Sequence, residues 1–233
     1  MNADNSLDPR LIDAEEKLKK LVRRQERNQR AAFAKGLMQG ICSMLKPGDL
    51  VLDCGANVGA VTEVLAVTGA DIHAFEPDPY AFAQLTKSSK KFKNVILHNV
   101  AVGTEVGTVH LMRANNFNDN PRAQSVKSSV VKGGRGIDEA DSEMIEVRQI
   151  SLLNRIKDLI ETHGEIAFLK MDIEGAELGI LEEMLKQDLF ANIRLTVAET
   201  HERKFKNLRP RFAALRNTIT DTYPITKVNL DWI

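Results

Sequence analysis

The sequence predicts an α/β protein: a mostly parallel sheet with helices on both faces, preceded by an N-terminal helical extension. Three observations lead there. From about residue 46 onward, short apolar runs alternate with helix-period segments, the pattern of strands joined by crossover helices. Val51-Leu-Asp-Cys-Gly-Ala-Asn-Val-Gly59 reads as a strand that ends in a glycine-bearing turn into a helix. Ile72-His-Ala-Phe-Glu76 reads as a second strand that closes on an acid.

In chain order, Asp8-Pro9 is a start signal for a helix, with a capping acid and a proline in the first turn. Leu11, Leu18, Val22, Phe33, Leu37, Ile41 and Leu45 recur at helical spacing, so residues 1–45 are expected as the extension and 46–233 as the sheet domain. Between Lys17 and Arg30 seven basic residues face Glu26 alone. Such a stripe suits a solvated helix face or a homodimer formed through the N-terminal helix. It lacks the interleaved aromatics that a single-strand nucleic-acid site uses, so there is no strong nucleic-acid signal. Strands are expected near 49–53, 71–75, 94–98, 166–171 and 193–198. Helices are expected near 58–67, 78–90, 175–187 and 207–220. Val100–Met112 alternates around Gly103 and Gly107 as a hairpin or added edge strand. Residues 113–141, rich in Asn, Ser, Gly and charge, form a long loop on the substrate side; loops of that length in compact domains tend to be functional.

Composition narrows the class. At 43% hydrophobic and 27% charged the chain can build a full core, and its formal net charge of zero gives no global attraction to nucleic acid or anionic membrane. No apolar run reaches the ~18 residues of a membrane span, and the first residues carry no signal-peptide core. The two cysteines, Cys42 and Cys54, have no metal-ligand or C-x-x-C spacing, which points to a reducing, cytoplasmic setting.

The glycine loop indicates the ligand. Glu76 follows Asp53 at close to the ~20-residue interval at which an acid meets ribose hydroxyls. A dinucleotide site wants G-x-G-x-x-G, whose middle glycine admits a pyrophosphate. Here Gly55-Ala-Asn-Val-Gly59 puts Asn57 in that stretch, so a ribose cofactor without a pyrophosphate fits better. S-adenosylmethionine is the common one, its ammonium and carboxylate suited to Asp53 and the loop amides.

Five separated motifs then resemble the FkbM-type methyltransferases: Asp53–Gly59, Ala74-Phe-Glu-Pro-Asp-Pro79, Asn99-Val-Ala-Val-Gly103, Leu169-Lys-Met-Asp-Ile-Glu-Gly-Ala-Glu177 and Glu199-Thr-His201. The resemblance spans about residues 48–201 and implies the class I methyltransferase (Rossmann-like) sheet. It also implies O-methylation from S-adenosylmethionine, often of sugar or natural-product hydroxyls. It assigns the cofactor to Asp53, Gly55, Asn57, Gly59 and Glu76, with Asn99, Val100 and Ala101 near the adenine. The sequence departs from the family in three places. Leu153-Asn154 stands where the family has Leu-Asp, the N-terminal helix lies outside the match, and only ten residues follow Tyr223, so the closing antiparallel hairpin is expected short or incomplete.

Catalysis is expected from the second acidic cluster. Strand periodicity puts Lys170 and Asp172 on one side, at the carboxyl end where open α/β sheets bind ligands. Glu174 and Glu177 share a face at a helix start, where capping alone is a sufficient reason for Glu177. A hydroxyl acceptor needs a base within ~3 Å, and the candidates are Asp172 and His201, the latter oriented by Glu199. Asp172, Glu174, Glu199 and His201 are also a donor set that can hold Mg²⁺, but no spacing in the sequence singles a metal out and none is assigned. The acceptor, a small molecule or glycan, is expected to meet Glu174 and the loop cations Arg113, Arg122, Lys127 and Arg135, which with Lys132 face only Asp119. Two other readings fit less well: a nicotinamide oxidoreductase, opposed by Asn57, and a non-catalytic nucleoside- or partner-binding protein on the same fold.

Overall fold

A computed structural model of the chain describes residues 9–113, 117–125, 128–131, 133 and 144–232. These residues form two compact units, divided between Ile41 and Cys42. Helix α1 runs Pro9–Met44. Its Lys17–Asp13 and Lys19–Glu15 pairs, at 2.6 and 3.7 Å, are the i,i+4 contacts of an exposed helix, and Leu18, Leu21, Val22 and Phe33 are exposed. Among the described residues no helix is long and apolar enough to cross a membrane.

The second unit is built on a six-stranded sheet. Its strands are β1 (Leu50–Cys54), β2 (Asp71–Phe75), β3 (Val95–His98), β7 (Ile166–Met171), β8 (Ile193–Ala198) and β9 (Val228–Asn229), in the order β3-β2-β1-β7-β8-β9 with every neighbouring pair parallel. Every residue of β1 and β7 is buried, as expected of central parallel strands covered on both faces. The register sets Asp53 opposite Lys170 at the carboxyl ends of these two strands. β3, by contrast, is an edge, and Ile96 is exposed.

Local signals start and stop the covering helices. Gly59, at φ 95°, opens α2 (Ala60–Ala66). Asp78 caps α3 (Pro79–Ser89) by accepting from the amides of Tyr80 and Ala81 at 2.8 and 3.1 Å, and Pro79 takes the first-turn position where no amide partner is needed. Leu152, Ile156 and Leu159 of α5 (Leu152–His163) join Leu178, Leu181 and Met184 of α6 (Glu177–Lys186) and Phe212, Leu215 and Ile219 of α7 (Arg209–Thr222) in one core. Burial is worth about 1.5–3 kcal/mol for each such side chain.

Three expectations are corrected here. Val100–Met112 is no hairpin: β4 (Ala101–Gly103) and β5 (Gly107–Met112) lie on either side of β6 (Met144–Ser151) in a second sheet of order β4-β6-β5, with β4 parallel and β5 antiparallel to β6. β6 and α5 were not among the expected elements. The loop from 113 also carries structure of its own, a 3₁₀ turn at Phe117–Asp119, the short helix α4 (Pro121–Gln124) and an antiparallel bridge from Met112 to Ser129. At the far edge of the sheet lie the two-residue parallel strand β9 and one antiparallel bridge, Glu199 to Asp231.

Candidate active site

A cavity of about 300 Å³ opens at the carboxyl ends of β1, β2 and β7. That is the lower end of the range for small-molecule pockets. The loop after β1 forms one wall through Gly55, Asn57 and Val58. Phe75, Glu76, Val100 and Ala101 form the next, and Lys170, Asp172 and Glu174 the far end. Ser125, Ser128 and Val130 complete the lining, so described parts of the long loop face the same space. That segment is stitched to both walls: Ser125 Oγ donates to Asn57 Oδ1 at 3.1 Å and Ser129 Oγ to the Glu174 carbonyl at 2.6 Å.

Gly55 cannot be replaced freely. It sits at φ 78°, and a Cβ there would fall on the Asp172 carbonyl oxygen. The crossing of the β1 and β7 loops therefore requires glycine. Gly59 answers a different need, since its Cβ would meet Ser88 Oγ at 2.5 Å and Leu85 Cδ1 at 2.9 Å; it lets α2 approach α3 and does not line the cavity.

Glu76 is buried, with Oε2 accepting from the Asn57 amide and Oε1 from the Asp78 amide, both at 2.8 Å. Each oxygen keeps a lone pair for a ligand hydroxyl. Burial pushes its carboxyl up to about 7 against the pull of those amides. Asn99 acts behind it, donating to the carbonyls of Glu76 and Pro77 at 2.8 and 3.2 Å, and is not part of the lining.

Asp53 needs a correction. It is fully buried and does not reach the cavity: Oδ2 accepts from Thr62 Oγ1 at 2.6 Å and Oδ1 lies 3.2 Å from Lys170 Nζ. Lys170 lines the cavity in its place and donates to the Gly55 carbonyl at 2.7 Å. Burial opposes its charge, but Asp53 and Asp172 outweigh burial and hold the ammonium above its ordinary value.

Asp172 follows β7 directly, with its amide on the Cys54 carbonyl at 3.0 Å, and its carboxylate is 30% exposed. Its charged neighbours are Lys170 Nζ at 3.9 Å and His201 Nε2 at 3.7 Å. Burial raises its carboxyl despite both cations, leaving a proton acceptor of more than usual basicity at the cavity wall.

His201 is not held as expected. Its Nδ1 meets Glu177 Oε1 at 3.1 Å, while Glu199, the anticipated partner, stands 3.8 Å from Nε2. Burial would lower the imidazole, but Glu174 and Glu177 overcome that and push it up to about 11. An imidazolium has no lone pair to take a proton, which leaves Asp172 as the candidate base of the two. Glu199, half-buried near Asp172, is itself pushed up to about 7 by desolvation and the neighbouring acids.

The loop cations also change place. Arg113 is buried, its Nε and Nη2 on the two Asp78 oxygens at 2.8 and 3.1 Å and its guanidinium 4.0 Å from the Phe117 ring centre. It fastens the loop to the cap of α3 and is not part of the cavity lining. Arg113→Ala is expected to lower unfolding free energy by about 2–3 kcal/mol, the worth of hydrogen bonds to a charged group, read by urea denaturation. Arg122 is described in its backbone only, and Lys127, Lys132 and Arg135 lie outside the described residues. Sequence reasoning missed Thr62 and Phe75, and it read Glu177 as a cap without seeing that the same carboxylate orients His201.

A family model, the methyltransferase FkbM domain, matches residues 53–222. The 31-O-demethyl-FK506 methyltransferase FkbM of Streptomyces tacrolimicus is 29% identical over 182 residues, 68% of this chain and 67% of that protein. Among solved structures, a TehB-like S-adenosylmethionine-dependent methyltransferase from Corynebacterium glutamicum is 20% identical, with a TM-score of 0.23 over 34% of this chain and 42% of its own. A candidate rRNA methylase from Clostridium thermocellum is 23% identical, with a TM-score of 0.27 over 29% and 39%. Likenesses of that size to solved structures say nothing further of this chain.

Proposed function

The chain belongs to the FkbM methyltransferase family, as an S-adenosylmethionine-dependent enzyme, and on that premise we propose that it methylates a hydroxyl of a sugar, glycan or small natural product in the cytoplasm. The observation behind this reading is that one cavity holds both a ribose-type acid, Glu76, and a strand-end base, Asp172. The residues present fit the cofactor: Glu76 keeps free lone pairs, Asn57 stands in the stretch where a pyrophosphate site wants glycine, and Phe75, Val100 and Ala101 give an apolar slot for a base. Bound there, S-adenosylmethionine supplies an electrophilic methyl group and leaves as S-adenosylhomocysteine. Glu76 accepts from the ribose hydroxyls. Lys170 neutralises Asp53 and offers its ammonium to the carboxylate end. Asp172 takes the acceptor hydroxyl proton as the new oxygen–carbon bond forms, and the walls align the pair, which alone can supply several kcal/mol. The relative from Streptomyces tacrolimicus, by its name, acts on a hydroxyl of a natural product, which supports an oxygen acceptor. The far end presents Asp172 and Glu174, a lining that suits a neutral polyhydroxyl. Arg122, Lys127 and Arg135 are the loop residues that would approach it, and pairing of two chains through the N-terminal helix belongs to the same proposal.

Calorimetry with S-adenosylhomocysteine against NAD, followed by a methyl-transfer screen over hydroxylated acceptors, tests the reading. Uptake of NAD with refusal of S-adenosylhomocysteine overturns it. Glu76→Ala is expected to weaken S-adenosylhomocysteine binding by about 1.5–3 kcal/mol, the scale of charge-assisted hydrogen bonds. The sign with pH follows from the raised carboxyl: below about 7 Glu76 is protonated and a poorer acceptor, so wild-type affinity should tighten as pH rises through 7. A Glu76→Gln variant should lose that slope.

A further inference from the structure

The acid end of the cavity is arranged more tightly than a single general base requires. Glu177 is fully buried, and its oxygens accept from the amides of Ile173 at 2.7 Å and Gly175 at 2.8 Å. Held this way, it fixes His201 Nδ1 as the donor on its side and fixes the direction of the ring. Nε2 is thereby aimed at three carboxylate oxygens, Asp172 Oδ1 at 3.7 Å, Glu174 Oε1 at 3.5 Å and Glu199 Oε1 at 3.8 Å.

These distances exceed the roughly 2.7–3.2 Å of N–H···O hydrogen bonds. They approach the spacing of two donor atoms that share one ion. Metal–ligand bonds of about 2.0–2.2 Å set neighbouring donors about 3.0 Å apart in an octahedron and about 3.4 Å apart in a tetrahedron. Donor atoms of Asp172, Glu199 and His201 all lie within 4.8 Å of one another, so an ion between them needs small side-chain movements only. Charge points the same way. Lys170 answers Asp53, and Lys204 answers Glu174 at 2.6 Å, leaving Asp172, Glu177 and Glu199 around one imidazole.

We propose that Asp172, Glu199 and Nε2 of His201 bind one divalent cation, with Glu177 orienting the histidine from behind. A carboxylate bonded to the far nitrogen of a ligating histidine is the usual support for such a ligand. Two carboxylates and one imidazole suit Mn²⁺, Mg²⁺ or Zn²⁺ better than a softer ion. The cation takes the place of the Nε2 proton. Because Asp172 also lines the cavity, the remaining coordination positions face the acceptor side, where a bound hydroxyl gives up its proton more readily. That catalytic use rests on the methyl-transfer reading, whereas the binding itself does not.

The test is titration of the chelator-treated full chain with Mn²⁺, followed by calorimetry and by the electron-spin signal of free Mn²⁺, with S-adenosylhomocysteine binding measured on the same samples. One equivalent of Mn²⁺ should be taken up, and Glu199→Gln should weaken it at least tenfold. Glu199 is 39% exposed, so this variant should fold, which circular dichroism checks. Glu177→Gln, the orienting change, should weaken Mn²⁺ binding by 10- to 100-fold. No Mn²⁺ uptake at millimolar concentration, or unchanged uptake by Glu199→Gln, overturns the cation site. If the same sample still binds S-adenosylhomocysteine, methyl transfer stands without it. Mn²⁺ uptake that is lost in Glu199→Gln supports the site whether or not S-adenosylhomocysteine binds.

Discussion

Asp172→Asn is expected to cut turnover by about 10²-fold or more while S-adenosylhomocysteine affinity stays within a few-fold of wild type. The two halves of this result have separate origins. On the proposed reading, affinity depends on the opposite wall, that of Glu76 and the Gly55–Asn57 loop, to which the Asp172 carboxylate makes no hydrogen bond. Turnover depends on a carboxylate that can accept a proton, and an amide of the same size cannot. The raised carboxyl of Asp172 strengthens the case, because burial has made its ionised form more basic than a surface aspartate. His201 cannot substitute as the base, because its Nε2 lone pair is taken either by a proton held toward the surrounding carboxylates or by the cation proposed above. The measurement is single-turnover methyl transfer to an acceptor found in the screen, beside calorimetry on the same protein. Normal turnover in the variant places the base elsewhere. A loss confined to cofactor binding makes Asp172 a binding residue.

Parts of this site could be read in advance because their signals are local. Gly55 and Glu76, which line the cavity, lie within one strand–loop–helix–strand unit, and Asp172 follows a strand whose apolar run, Ile166–Met171, is unbroken but for Lys170. Their elements were legible for the same reason. β6 was not, since the alternation of Ile145, Glu146, Val147 and Arg148 breaks at Gln149 and its partners β4 and β5 are distant in sequence. α5 carried a usable signal, a Ser151 cap, Leu152, Ile156 and Leu159 at helical spacing and Gly164 at the end, but it follows β6 with no intervening turn to mark the change. Arg113 misled for an electrostatic reason: counting charges along the loop finds a cation, while its partner Asp78 sits on another element. The same applies to His201, whose partner Glu177 belongs to α6, and to Asp53, whose strand-end position gave no hint that Lys170 stands between it and the cavity.

Lys170→Met is expected to destabilise the fold by about 3–5 kcal/mol, the usual result of removing one member of a buried ion pair. Lys170 and Asp53 are neighbours in register on the two central strands, their side chains 3% and 0% exposed. With the ammonium gone, Asp53 keeps only the Thr62 hydroxyl, and its Oδ1 has no hydrogen-bond partner to fall back on. The carbonyls of Cys54 and Gly55, which Lys170 reaches at 3.5 and 2.7 Å, lose a donor as well, so the cofactor loop loosens with the pair. The cost lies in the orphaned charge more than in the lost attraction, and that distinction can be measured. Adding Asp53→Asn to Lys170→Met should recover part of the loss, because a neutral amide is cheaper to bury than an unpaired carboxylate. Urea denaturation of the wild type, both single variants and the double variant gives the coupling. If Lys170→Met costs less than about 1 kcal/mol, or the double variant is less stable than Lys170→Met alone, the pair does not hold the two strand ends together and Lys170 is there for the ligand alone.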